Sequence, residues 1–199
     1  MSLLTPTTRD TLSPEIQQIW DACEENYPQF KNLWSTMANS PIILSHVWGQ
    51  LLTIKKQSPV AAKHYEIAIV VASNLMTCEY CVSHHSPRAA AQGYSPEQLE
   101  VLDNIRLTDG PAWKYNSLFD DTDNLVIDLA YHLVWSGTYA KAHQVPQRII
   151  YEHRQRIFKA LEEKFNKQQI EELVWRTTQC VAFNWHNDFF EIDLETNIK

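Results

Sequence analysis

Glycine is scarce in this sequence of 199 residues. It has only 4 glycines, and neither a GxGxxG nor a GxxxxGK[ST] pattern occurs. Both patterns need glycine so that the backbone can approach a phosphate group, which excludes a phosphate-binding loop of that kind. Proline, with 9 residues, outnumbers glycine. This balance favours helices that begin with proline over hairpins that turn on glycine.

Positive charge and long apolar runs are also scarce. The 17 Lys and Arg residues are outnumbered by 24 Asp and Glu, which gives a formal net charge of −7. A nucleic-acid-binding surface needs an excess of basic residues, so that class is disfavoured. The most apolar window, residues 67–76, is far shorter than the roughly 18 residues of a membrane span. The first ten residues lack a signal-peptide pattern. We therefore expect a cytoplasmic protein that binds neither nucleic acid nor membrane.

Five Ser-Pro pairs punctuate the chain, at residues 13, 40, 58, 86 and 95. Serine is a good N-cap and proline is tolerated at the first helical position, so the pair predicts a helix start. Apolar residues at helical spacing follow most of these pairs, including an apolar helix predicted over residues 60–76. No pair of strands joined by a hairpin turn is evident. The sequence predicts an all-α protein with one domain.

The four cysteines are Cys23, Cys78, Cys81 and Cys180. In a reducing compartment such residues are more often catalytic or metal-binding than paired in disulfides. Cys78 and Cys81 form a CxxC pattern. Cys23 and Cys180 lie on apolar helical faces, and we interpret both as buried, inert side chains.

Reactive groups are concentrated just after the predicted apolar helix. If Thr77 caps the next helix, Cys78 lies in its first turn, where the helix dipole stabilises a thiolate. Cys81 and His85 are four residues apart and share one helical face, so the imidazole can accept the thiol proton. Cys78 can then close a disulfide with Cys81. These residues supply a nucleophile, a base and a second thiol.

Glu66 is predicted to complete a proton relay. If the two helices form an antiparallel hairpin, Glu66 lies about 15 Å and His85 about 10 Å from the turn, at roughly 1.5 Å per residue. The two side chains can then meet, directly or through a water. A carboxylate in such an apolar run is costly to bury without a partner.

The spacing Glu66–x11–Cys78–x2–Cys81–x3–His85 resembles the motif of the alkylhydroperoxidase D-like branch of the carboxymuconolactone decarboxylase superfamily. The resemblance covers about residues 41–190 of a single domain, 1–199, and leaves residues 1–40 as a helical extension. It implies an all-α, alkylhydroperoxidase D-like fold in which an antiparallel helical hairpin carries the CxxC motif. It also implies a homo-oligomer, as a dimer, trimer or hexamer.

The same resemblance implies a thiol-dependent peroxidase with no metal or other cofactor. Cys81 would be the peroxidatic thiolate, Cys78 the resolving thiol, and His85 with Glu66 the proton relay. The substrate would be a hydroperoxide, and an external dithiol or redox protein would be the reductant. The best-known members carry a histidine directly before the second cysteine, where this chain has Tyr80. Tyrosine is a poor base near neutral pH, and His84 points about 100° away from His85 on a helix.

Two alternatives remain open from the sequence. One is a zinc site formed by Cys78, Cys81 and His85, with Glu66 or His84 as the fourth ligand, in a structural or redox-sensing module. The other is a lyase on a small carboxylated substrate, as in the decarboxylase branch of the superfamily.

Overall fold

The computed structural model describes residues 2–195, and these residues form helices joined by loops, without a β-strand. The all-α prediction is confirmed. Two short 3₁₀ helices occur early in the chain, and a π-helix, Leu44–Trp48, joins α3 to α4. The α-helices are α1 (Pro14–Asn26), α2 (Lys31–Met37), α3 (Pro41–Ile43), α4 (Gly49–Gln57), α5 (Ala62–Leu75), α6 (Glu79–Ala91), α7 (Pro96–Asp103), α8 (Asp121–Gly137), α9 (Tyr139–Ala142), α10 (Gln147–Lys164) and α11 (Lys167–Phe190).

The Ser-Pro pairs begin three of these helices. Ser13, Ser40 and Ser95 are the N-caps of α1, α3 and α7, and the last forms a full capping box. The prediction is wrong for Ser86, which lies inside α6, and for Ser58, which ends α4 while α5 begins only at Ala62. A residue before proline is restricted to extended conformations, and Ser58 has a ψ of 134°. The pair therefore breaks one helix without starting the next.

The described chain divides into two compact units. The first contains the residues through Ser58 together with those from His186 onward, and the second contains residues 59–185. In the first unit Trp20 and Trp34 pack edge to face with ring centres 4.6 Å apart. The prediction of one domain, with a core at 41–190 and an extension at 1–40, stays a prediction.

Helix α5 is the central element of the second unit. The six residues from Ile67 to Ala72 are each at most 1% exposed, so the helix is apolar on all sides and must be surrounded. It packs against α6 and α8. The pairing of α5 with α6 forms the expected helical hairpin, and it brings the carboxylate of Glu66 beside the side chain of Arg88.

The turn of this hairpin is a Schellman motif. The N–H of Cys78 donates to the carbonyl of Ser73 at 3.0 Å, and the N–H of Thr77 donates to that of Asn74 at 3.1 Å. Thr77 has a φ of +57°, a left-handed conformation that glycine usually supplies at this position and that strains a β-branched residue. The prediction that Thr77 caps the second helix is wrong: Cys78 is the N-cap, and α6 begins at Glu79.

Candidate active site

The hairpin brings the four residues of the sequence motif into one buried region of the second unit. Glu66 projects from α5, Cys78 occupies the N-cap of α6, and Cys81 and His85 lie on the first turns of that helix. All four side chains are buried. Because water is largely excluded, the charge on each group depends on its protein neighbours.

Glu66 and His85 are in direct contact. The Nδ1 atom of His85 lies 2.7 Å from Oε2 of Glu66. A carboxylate can only accept, so Nδ1 carries the proton and donates it in this hydrogen bond. In the neutral ring the other nitrogen, Nε2, is then the proton acceptor. The contact fixes the tautomer that a general base requires.

Sequence reasoning missed Arg88, which binds the other oxygen of the same carboxylate. Its Nε and Nη2 atoms lie 2.9 and 2.6 Å from Oε1 of Glu66. Burial alone would raise the pKa of Glu66, but the charges and hydrogen bonds of His85 and Arg88 lower it to about 2. Arg88 keeps the carboxylate ionised when His85 is neutral. Its position three residues after His85, on the same helical face, was an available signal.

The imidazole of His85 is in the neutral form that a base requires. Burial lowers the pKa of His85, and the positive charges of Arg88 and Arg176 lower it further, against the opposing effect of Glu66. The imidazole is therefore neutral at pH 7 and able to accept a proton.

Cys81 is the middle member of a cluster of three thiols. Its side chain is hydrogen-bonded to those of Cys78 and Cys180, and all four cysteines, which lie within the described residues, are reduced. Cys180 is buried, as predicted, and belongs to the apolar core, but it also contacts Cys81; its interpretation as an inert side chain stays a prediction. Helix α11 places it against Cys81 from a distance of 99 residues in sequence, and no local pattern signals that contact.

Polar groups also surround Cys180. Its Sγ lies 3.3 Å from Oγ of Ser73 and 3.8 Å from Oδ1 of Asn184. The hydrogen bond from Cys81 lowers the pKa of Cys180 against the effect of burial, and Arg176 and Ser73 contribute in the same direction. The pKa of Cys81 is raised for the complementary reason, since its proton is held by the neighbouring sulfurs. In this hydrogen-bonded pair the proton is therefore favoured on Cys81 and the negative charge on Cys180.

Cys23 differs from the three clustered cysteines in its surroundings. It is fully buried in the first unit, and burial raises its pKa to about 12. A thiol in that state is unreactive at neutral pH, which agrees with its interpretation as inert.

Tyr80, which stands where the family pattern has a histidine, packs against His84. Its ring is buried and stacks on His84 with centroids 4.2 Å apart. Nδ1 of His84 donates to the carbonyl oxygen of Tyr80 at 2.6 Å. This arrangement agrees with the expectation that His84 points away from the face that carries Cys81 and His85.

A cleft of about 290 Å³ opens beside the hairpin turn, between the N-terminus of α6 and the end of α7. Cys78 and Arg106 are among its lining residues, whereas Cys81 and Cys180, which are also described, are not. All three thiols of the cluster are nevertheless buried, Cys78 fully so.

Between residues 2 and 195, no group of three or more His, Cys, Asp or Glu side chains is arranged to hold a metal ion. The side chains of the hypothetical zinc site bind one another instead, as the contact of His85 with Glu66 shows. Over the same residues, no helix has the length and apolar character needed to cross a bilayer.

A buried Glu–His pair behind a CxxC motif on a helical hairpin is the arrangement expected from the resemblance to the carboxymuconolactone decarboxylase superfamily. Residues 45–116 match the model of the carboxymuconolactone decarboxylase family, and the resemblance is thereby confirmed. The matched segment includes the whole hairpin. No curated protein matches the chain.

Solved structures share the fold over nearly the whole chain. A cysteine-to-alanine variant of the debrominase Bmp8, in complex with 2,3,4-tribromopyrrole, superposes with a TM-score of 0.70 at 15% identity, covering 98% of this chain and 93% of that one. An uncharacterised peroxidase-related protein from Silicibacter sp. TM1040 gives a TM-score of 0.66 at 17% identity, covering 98% and 92%. At such low identity the likeness establishes the fold alone.

Proposed function

We propose that this protein is a cytoplasmic thiol-dependent peroxidase, with peroxiredoxin-type activity, that reduces hydroperoxides through a dithiol–disulfide cycle. The observation that carries the proposal is the 2.7 Å contact between Glu66 and His85, on the same helical hairpin as the interacting thiols of Cys78 and Cys81. A neutral imidazole with a fixed tautomer and a buried nucleophile on the same helix are the parts that general-base activation of a thiol requires.

In the proposed reaction His85 accepts the proton of Cys81, which rests as a thiol because its hydrogen bonds and burial raise its pKa. The resulting thiolate attacks the terminal oxygen of the hydroperoxide, and the O–O bond breaks. Cys81 becomes a sulfenic acid, and the departing alkoxide takes a proton from the relay of His85 and Glu66 to leave as an alcohol. The thiol of Cys78 then attacks the sulfenic sulfur. A disulfide forms between Cys78 and Cys81, and the sulfenic oxygen leaves as water.

The cleft supports an order for the reducing step. Because Cys78 lines it, an external dithiol or redox protein is proposed to attack the Cys78 sulfur. Attack there releases Cys81 as the leaving thiolate and returns the nucleophile to its starting state.

A thiol titration before and after one equivalent of cumene hydroperoxide tests the proposal. The wild type should lose two thiols, mapped by mass spectrometry to Cys78 and Cys81. Cys81→Ser should lose peroxide turnover, and Cys78→Ser should undergo one oxidation and stop. Cys23→Ala, which removes a thiol outside the cluster, is the matched control and should keep full turnover. Full activity in both Cys81→Ser and Cys78→Ser would overturn the proposal.

A second candidate is reductive dehalogenation, favoured by the likeness to the debrominase Bmp8 over 98% of the chain. Replacing bromine on a pyrrole by hydrogen consumes two electrons and releases bromide, and a pair of thiols that becomes a disulfide supplies both electrons. Incubation with a brominated pyrrole and a dithiol, followed by bromide analysis, separates the two functions. Bromide release without hydroperoxide-dependent thiol loss would favour dehalogenation.

A further inference from the structure

Cys180 has the surroundings of a reactive thiol. It is hydrogen-bonded to Cys81, and Oγ of Ser73 lies 3.3 Å from its sulfur. Asn184, which is fully buried, places its carboxamide at the same sulfur. Within residues 2–195 the Nδ2 atom of this amide has no hydrogen-bond partner. A thiol that served only to fill the core would not require three polar neighbours.

Neighbouring charged groups shift the pKa of Cys180 in opposite directions. Arg176 on α11 lowers the pKa of Cys180, and Glu66 on α5 raises it. The hydrogen bond from Cys81 on α6 is the larger influence and lowers it. The pKa of Cys180 is therefore lowered by its contact with Cys81, whereas burial raises the pKa of Cys23.

We propose that Cys180 is a second resolving thiol, which condenses with oxidised Cys81 in competition with Cys78. The inference rests on the peroxidase function proposed above. In the step, the Cys180 sulfur attacks the sulfenic sulfur of Cys81, an S–S bond forms and the S–O bond breaks. The oxygen leaves as water with the proton of the Cys180 thiol. The hydroperoxide is the oxidant, and it has already been reduced to the alcohol.

The position of the cleft assigns the next step to Cys78. Cys78 lines the cleft, whereas Cys81 and Cys180 do not, so an external dithiol that enters the cleft is proposed to meet Cys78 first. The thiolate of Cys78, hydrogen-bonded to Cys81, attacks Cys81 and releases Cys180 as a thiol. The disulfide between Cys78 and Cys81 is then reduced from the cleft. Cys180 thereby protects Cys81 from further oxidation while the outer thiol is engaged.

The test uses Cys78→Ser, alone and combined with Cys180→Ser or Cys180→Ala. Serine is a preferred N-cap residue, so the first substitution is expected to leave α6 folded, which circular dichroism checks for every variant. Each protein is treated with one equivalent of cumene hydroperoxide in the presence of dimedone, which traps sulfenic acids. A parallel sample is treated with diamide, which joins neighbouring thiols without peroxide chemistry. Peptides are mapped without reduction.

Cys78→Ser should give a Cys81–Cys180 disulfide with both oxidants and several-fold less dimedone adduct than the double variants, in which Cys81 is trapped as the sulfenic acid. Equal dimedone labelling in single and double variants, with no Cys81–Cys180 peptide after diamide, would overturn the inference. Failure of the peroxidase proposal has a different signature: cumene hydroperoxide oxidises no thiol in the wild type, while diamide still joins Cys81 to Cys180 in Cys78→Ser.

Discussion

The ion pairs of Glu66 make a quantitative prediction about stability. The pKa of this carboxyl falls from an ordinary 4.5 to about 2 in the folded protein. At about 1.4 kcal/mol per pKa unit, the shift corresponds to about 3 kcal/mol of folding free energy. Since the folded-state pKa is lowered, this contribution is complete above pH 4.5 and disappears as the pH falls towards 2. Glu66→Gln removes the charge but keeps the shape, and at pH 7 it should cost about 3 kcal/mol, in the range for breaking a buried ion pair.

Urea denaturation of the wild type and Glu66→Gln at several pH values between 7 and 3 measures this difference. The difference in the free energy of unfolding between the two proteins should be about 3 kcal/mol at pH 7 and about half of that near pH 3.3. Glu66 raises the pKa of His85, so below about pH 6.5 the difference between the two proteins also contains the ionisation of His85, which Glu66→Gln makes less favourable. Glu162→Gln, at an exposed position of α10, is the matched control and should change stability by less than about 0.5 kcal/mol. A Glu66→Gln effect as small as the control, or a gap independent of pH, would refute the reasoning.

Two further predictions concern the hairpin turn and the assembly. Thr77→Gly should relieve the left-handed strain of a β-branched residue and raise the free energy of unfolding by about 1 kcal/mol, measured by urea denaturation. Thr77→Ala keeps the strain and should not stabilise, so equal stabilisation by both would contradict this account. The expected homo-oligomer should weaken in Trp185→Glu, because Trp185 on α11 is 59% exposed and such surfaces are often covered by a partner. Light scattering after gel filtration checks this, and an unchanged mass in the variant would place the interface elsewhere.

The helical class and the hairpin could be predicted from sequence because the signals are local. The apolar run predicts a helix over residues 60–76, close to the observed α5, and the meeting of Glu66 with His85 follows from the rise of a helix. The orientation of single aromatic residues could not be predicted in this way. Trp175 follows the core-type spacing of α11, yet it is 49% exposed. Periodicity defines a face, but only the packing of neighbouring helices decides which part of that face is covered.

The parts of the site that the sequence did not reveal depend on long-range packing. Arg88 could have been recognised as the second partner of a buried carboxylate, because it lies on the same helical face as His85. Cys180 could not be recognised in this way, because its contact with Cys81 joins α11 to α6. No fixed sequence spacing relates residues on two such helices. The polar groups at this contact are equally distant in sequence, as the approach of Ser73 to Cys180 illustrates.

Cys180, the third thiol of the cluster, is relevant to position 80, where this chain has Tyr80 and the family pattern has a histidine. The resemblance places a histidine directly before the second cysteine, where it would serve as a proton partner for the thiols. Here that position holds a phenol ring stacked on His84. Cys81 is instead hydrogen-bonded to Cys180, beside the positive charge of Arg176. The group with the largest influence on the pKa of the nucleophile therefore lies on α11 and not on its own helix. The same substitution at Cys180 should then affect both resolution and the ionisation of Cys81.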